Sequence, residues 1–136
     1  MNSHFREAFL TAWQSPLRLD AEINSPSATE EALLQFESDF GPIPPTFRWF
    51  LANCGGGVVG SEWVDDIVEL SETHRRFREE FPASVGLFVI GWDGRGDPFG
   101  IDAASEKVLG VDHDNGNLFE VAPNFEAFLA KVLANS

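Results

Sequence analysis

Short runs of glycine, aspartate and histidine are the first features of this sequence that could do chemistry. Residues 55–60 formally match Gly-x-Gly-x-x-Gly, the pattern of a loop that cradles the phosphates of a dinucleotide. Such a site needs a strand before the glycines and a helix after them, because the phosphate lies on the helix N-terminus. Here the surrounding residues predict the reverse order. We therefore interpret the glycines as a helix end, where glycine accepts a left-handed backbone.

The run Asp-His-Asp-Asn-Gly at residues 112–116 resembles the start of a calcium loop. That loop needs alternating oxygen ligands and a glutamate at position twelve, whereas Gly116 falls at position five and Pro123 at position twelve. The three histidines lie far apart in the sequence, so no transition-metal motif is present, although folding could gather two of them. We favour a solvated hairpin tip. The alternative is a small-ligand or metal-binding domain that uses Asp97, Asp112, His113 and Asp114.

Two further candidates also have simpler structural explanations. Cys54 has no base beside it in the sequence, so we interpret it as a small buried apolar residue rather than a nucleophile. The basic cluster Arg75, Arg76 and Arg78 is surrounded by glutamates, which favours an ion-paired helix face over an anion site. The sequence predicts no catalytic residue, no cofactor site and no metal site.

Acidic residues dominate the charge of the chain. Its 136 residues include 22 Asp and Glu against nine Lys and Arg, a formal net charge of −13. This balance disfavours binding to nucleic-acid phosphates or to anionic membranes, because both require clustered basic residues. A single cysteine excludes an internal disulfide, and no apolar run is as long as a membrane span. We predict a cytoplasmic location.

Hydrophobic spacing predicts the elements that position these residues. Helical periodicity predicts helices over about residues 4–14, from Ser27 or Thr29 to Gly41, from Pro45 to about 53, from a Ser71 cap through about 81 with Pro82 as the stop, and near 124–134. Short apolar runs predict strands beginning at 58 and over 87–90, 99–101, 108–111 and 118–121, with turns at 93–94 and 115–116. The expected fold class is α+β: an antiparallel β-meander of about four to six strands with helices packed on it, N-terminal helices and a C-terminal helix. We predict one domain over residues 1–136.

Three segments, in this order, resemble the SUKH superfamily of the Smi/Knr type. They are IPPTFRWFLANCGG at 43–56, IGWDGRGD at 90–97 and FEAFL at 125–129, and the resemblance covers about residues 28–134. Ile43, Phe47 and Asp112 depart from the usual residues at their positions. The resemblance implies an α+β fold without catalytic activity. Bacterial members are largely immunity proteins that neutralise a toxin, often a nuclease, and eukaryotic members resemble regulatory scaffolds of cell-wall synthesis.

These observations favour a non-enzymatic immunity protein that binds the basic surface of a cognate toxin. The alternatives are a regulatory scaffold without a toxin partner and the ligand-binding or metal-binding domain described above. We expect no nucleic-acid or membrane partner, and a monomer or weak homodimer. Trp13 and Trp49 lie on helical stripes and are expected in the core, whereas Trp63 and Trp92 are expected nearer the surface. The predicted partner-binding residues, chosen for charge and expected exposure, are Glu62, Trp63, Asp65, Asp66 and Glu69, followed by Trp92, Asp93, Arg95 and Asp97.

Overall fold

The chain folds as an α+β meander, as predicted, with strands at the upper end of the expected number. A computed structural model describes residues 1–81 and 86–134. The strands are β1 (Gly57–Val59), β2 (Glu62–Val64), β3 (Leu87–Trp92), β4 (Pro98–Asp102), β5 (Val108–Val111) and β6 (Leu118–Ala122), and they form one antiparallel sheet in chain order. The α-helices are α1 (Ser3–Gln14), α2 (Glu30–Phe40), α3 (Pro45–Cys54), α4 (Ile67–Glu80) and α5 (Phe125–Ala134), and a 3₁₀ turn covers Ala21–Ile23.

A core of phenylalanines joins the helices to the sheet. Phe9, Phe47, Phe50 and Phe128 are fully buried, and the rings of Phe47 and Phe50 stack 6.1 Å apart. These positions recur at helical spacing, so each helix offers one apolar stripe to the sheet. Within the described ranges, no helix is both long enough and apolar enough to cross a bilayer.

Helix α1 and the loop after it are anchored to the same core. Phe9 is fully buried and Trp13 nearly so. The Arg18 guanidinium carbon lies 4.0 Å from the Trp13 ring centroid, and Arg18 Nη1 donates to the Val58 carbonyl at 3.2 Å. The first helix therefore fills the core, and the following loop covers part of the edge strand β1. Trp49, by contrast, is only half-buried.

Helix α4 begins earlier than the sequence analysis predicted. The expected cap was Ser71, but the helix starts at Ile67 with Asp66 as its N-cap. The Asp66 carboxylate accepts the Glu69 backbone N–H at 2.8 Å, and the Glu69 side chain accepts the Asp66 N–H at 3.3 Å. This reciprocal capping box satisfies two N–H groups that a helix start leaves without partners. The acidic residues between 62 and 72 therefore lie in β2, in the link that ends at the N-cap Asp66, and in the first two turns of α4. The predicted stop at Pro82 lies outside the described residues.

The glycine run follows the order expected of a helix end. Helix α3 precedes it and β1 follows it, which is the reverse of a dinucleotide-binding loop. Gly55 has φ +83°, and a Cβ there would lie 2.2 Å from the Pro26 carbonyl oxygen. Glycine is therefore required at this position both by its backbone angle and by the close approach of another chain segment.

Candidate functional site

Two tryptophans form the centre of the predicted acidic region. Trp63 on β2 is paired directly with Trp92 on β3, and both are half-buried. The Trp63 indole N–H donates to Glu69 Oε1 at 2.9 Å, and the Trp92 indole N–H donates to Thr73 Oγ1 at 3.2 Å. Both acceptors lie on α4. The first two turns of α4 therefore hold the two rings through their N–H groups.

Asp65 lies beneath the rings rather than on the surface. We expected an exposed carboxylate here, but the residue is only 4% exposed. The Thr73 hydroxyl donates to Asp65 Oδ2, and the Asp65 backbone N–H donates to the Ile90 carbonyl at 2.9 Å. Burial raises the pKa of Asp65 to about 7. Asp65 therefore orients Thr73, and through Thr73 it orients Trp92.

The two tryptophans and the adjoining face of α4 line a groove of about 360 Å³. The Arg76 guanidinium carbon lies 3.9 Å from the Trp92 ring centroid, while Arg76 Nε donates to Glu80 Oε1 at 2.9 Å. Three carboxyl groups and one guanidinium line the groove, so its formal charge is negative whether or not Asp65 is ionised. We call it the tryptophan groove, and it is lined by Trp63, Asp65, Glu69, Glu72, Thr73, Arg76 and Trp92.

The basic cluster on α4 is ion-paired at two of its three positions, as the glutamates around it predicted. Arg75 pairs with Glu72 at 2.8 Å, and Arg76 pairs with Glu80. Arg78 instead lies over the Phe40 ring, with its guanidinium carbon 5.1 Å from the ring centroid. The arginines of the cluster thus interact with glutamates of their own helix and with a neighbouring aromatic ring.

The second predicted group of residues joins two hairpins. Asp93 Oδ1 accepts the backbone N–H groups of Arg95 and Asp97 at 2.8 and 2.9 Å. Asp97 is 3% exposed, which differs from the expected surface position. Its Oδ1 accepts the backbone N–H of His113 at 2.9 Å and the ring Nδ1–H at 2.5 Å, while Arg95 Nη2 lies 3.0 Å from its Oδ2. We call Asp93, Arg95, Asp97 and His113 the hairpin latch, because they tie the β3–β4 turn to the β5–β6 turn.

The fold gathers three of the four residues in the metal-binding alternative. Ligand atoms of Asp97, Asp112 and His113 all lie within 4.8 Å of one another. However, Arg95 already neutralises Asp97, and Asp112 Oδ1 accepts the N–H of Asp114 at 2.8 Å within the turn. The hydrogen bond to Asp97 raises the pKa of His113, which favours the imidazolium form that cannot bind a metal. A cation would have to displace the guanidinium and the proton, so this arrangement favours an internal latch.

The nine predicted partner-binding residues divide between two neighbouring regions. The tryptophan groove contains Trp63, Asp65, Glu69 and Trp92, and Asp66 caps the adjoining helix. A smaller groove of about 230 Å³ contains Glu62, Asp93 and Arg95, next to the latch residue Asp97. Glu62 Oε1 accepts the Ser61 hydroxyl at 3.1 Å, whereas its Oε2 is buried without a hydrogen-bond partner among the described residues.

Sequence reasoning missed three residues of the tryptophan groove: Glu72, Thr73 and Arg76. Glu69, Thr73 and Arg76 follow one another at spacings of four and three, so they lie on one helical face. This pattern would have been visible from the sequence had the helix been started at Asp66. Cys54, in contrast, is buried as predicted, and burial raises the pKa of its thiol to about 12.

Comparison with protein families identifies a match over most of the chain. The sequence model of the SMI1 / KNR4 family (SUKH-1) matches residues 27–131, a segment that contains both grooves but not α1. No curated protein matches the chain.

Proposed function

Because the chain belongs to the SMI1 / KNR4 family (SUKH-1), we propose that it is a non-enzymatic immunity protein that binds and neutralises a cognate toxin domain. Bacterial relatives of this type are largely immunity proteins. Within this proposal the protein works in the cytoplasm, where its single free cysteine stays reduced.

The observation that carries the proposal is the pairing of half-buried tryptophans with carboxylates in the tryptophan groove. Tryptophan is a frequent anchor of protein interfaces, since its large flat ring excludes water from neighbouring polar contacts. Carboxylates beside such an anchor select a basic partner and speed its approach. A toxin that acts on nucleic acid must carry basic groups for phosphate, and an acidic inhibitor can cover them.

The structure suggests different roles for the predicted contact residues. Glu62 is suited to direct contact, because it lines the smaller groove and is only half-buried. Asp65 and Asp97 act from inside the protein, since they are almost fully buried and hold other side chains in place. The remaining predicted contact residues are partly or fully exposed: Trp63, Asp66, Glu69, Trp92, Asp93 and Arg95.

Binding kinetics with a candidate toxin test the proposal. The candidate is any toxin-like domain encoded by a neighbouring gene, immobilised and exposed to the full chain at low and at physiological salt. We expect tight binding whose association rate falls with salt, and Glu62→Gln and Glu69→Gln should each weaken it several-fold. Glu31→Gln is the matched control, because it removes the same charge from an exposed position on α2.

Two results would contradict the proposal. The first is absence of binding to the neighbouring toxin domain. The second is tight binding that Glu62→Gln and Glu69→Gln leave at the level of the Glu31→Gln control.

A further inference from the structure

We propose that the tryptophan groove receives an arginine side chain of the partner, which stacks on Trp92 in place of Arg76. This inference rests on the proposed function and specifies the chemical group that the groove recognises. Its evidence lies in the orientation of the tryptophans, the charge of the groove and the way Arg76 is held.

The tryptophans offer their faces rather than their edges. Both indole N–H groups are already used inside the protein, by Glu69 and by Thr73. A partner hydrogen-bond acceptor would therefore gain nothing from them. The face of an indole ring attracts cations, and the Arg76 guanidinium 3.9 Å from the Trp92 centroid shows that this face is accessible to a guanidinium.

The groove has negative charge to spare for a second cation. The accessible carboxylates of Glu69 and Glu72 line it against the single guanidinium of Arg76, which is itself paired with Glu80. Glu72 also pairs with Arg75 on the outer face of the helix. An incoming cation therefore meets a carboxylate-rich wall opposite the aromatic surface. Such a site favours arginine over lysine, because a planar guanidinium can stack on a ring and bond a carboxylate at the same time.

Arg76 can move away from Trp92 without losing its ion pair with Glu80. Its side chain is 50% exposed, and its Nε is bonded to Glu80, one turn further along α4. When Arg76 leaves the ring, only its contact with Trp92 is lost, and a cation–π contact at an exposed site contributes little to stability. If the side chain turns towards Glu80, Arg76 keeps its ionic partner and uncovers Trp92. In the free protein Arg76 thus occupies the position that we assign to the partner's arginine.

The indole N–H signals of the four tryptophans provide a direct assay in the full chain. The probes are N-acetyl-arginine amide and N-acetyl-lysine amide, titrated at constant ionic strength and followed by NMR. We expect the Trp92 signal to move saturably and more with the arginine probe. Arg76→Gln should strengthen this binding several-fold, because it removes the internal competitor.

Arg78→Gln is the matched control. It removes the same charge from an exposed position on the same helix, but Arg78 lies over the Phe40 ring and does not line the groove. The inference is overturned if the arginine probe moves all four indole signals alike, or if Arg78→Gln strengthens binding as much as Arg76→Gln.

The toxin experiment separates this inference from the proposed function. If the toxin domain binds and Arg76→Gln does not strengthen binding beyond the Arg78→Gln control, the immunity role stands and the arginine inference fails. If the arginine probe binds as described but no toxin domain does, the chemistry of the groove is supported and the immunity role fails.

Discussion

Buried Asp65 should make the stability of this protein depend on pH. Its carboxyl group is 4% exposed, and burial raises its pKa from 3.8 to about 7. The folded protein therefore keeps the carboxyl neutral over a range in which the unfolded chain ionises it. The stability that this difference contributes is fully present below about pH 4 and is lost as pH rises towards 7. Above that pH the folded state carries a buried negative charge.

The expected magnitude follows from the difference in pKa. Each unit corresponds to about 1.4 kcal/mol, so about 4 kcal/mol separates the acidic limit from the alkaline one. Between about pH 5 and pH 8 the native protein should lose about 3 kcal/mol of unfolding free energy through this group. Asp65→Asn cannot ionise. Relative to the native protein, the variant should therefore gain about 3 kcal/mol over the same range.

Urea unfolding followed by circular dichroism at several pH values measures this gain. Subtracting the two unfolding free energies at each pH cancels the contribution of the histidines, which both proteins share. If asparagine destabilises the fold by an amount independent of pH, the pH dependence of this difference is unchanged. Asp66→Asn is the control, because it removes a neighbouring carboxylate while asparagine still caps α4. The reasoning is refuted if the Asp65→Asn and native curves run parallel from about pH 5 to pH 8.

Two other perturbations test neighbouring parts of the structure. Burial lowers the pKa of His74 to about 4, so its contribution to stability is lost as pH falls from 6.5 towards 4. His74→Phe should gain about 2 kcal/mol relative to the native protein between about pH 7 and pH 4.5, and a gain independent of pH in urea unfolding would contradict this. Asp97→Asn should lower the raised pKa of His113 in an NMR titration. Asp112→Asn should lower it less, and equal shifts in the two variants would argue against the hairpin latch.

The helices were predictable where an amphipathic stripe and its end signals lie close together in the sequence. The spacing of Phe5, Phe9 and Trp13 predicted a helix over about 4–14, and α1 covers Ser3–Gln14. Gly41 ends α2 as expected, with its backbone N–H bonded to the Glu37 carbonyl. Such patterns are local, because residues three and four apart share a helical face whatever the rest of the chain does.

The start of α4 was missed although its signal is present. Asp66 and Glu69 have the spacing of a capping box, but Ser71 also resembles a cap and the acidic run hides the pattern. The apolar positions Leu70 and Phe77, both buried, agree with the earlier start. With the correct start, the face that forms one wall of the tryptophan groove could have been deduced from spacing alone.

The internal position of Asp65 could not be deduced in this way. Asp65 and Asp66 are identical neighbours, yet one is buried and the other caps a helix. Pairing of β2 with β3 decides between them, because it brings the Asp65 N–H to the Ile90 carbonyl and places Trp92 beside Trp63. Helix α4 separates these strands in the sequence, so no turn sets their register, and only the packed sheet defines it.

Helix α1 is part of the hydrophobic core, although it lies outside the segment that the family model matches. The family match begins at residue 27, yet Phe9 and Trp13 are part of the core and Arg18 holds a carbonyl of β1. A fragment trimmed to the matched segment would expose the aromatic rings that α1 covers, among them Phe50, whose ring centroid lies 5.3 Å from that of Trp13. The packed core therefore extends beyond the segment that the family model matches. For this chain, the boundaries of an expressed protein should be set by the core rather than by the limits of the family.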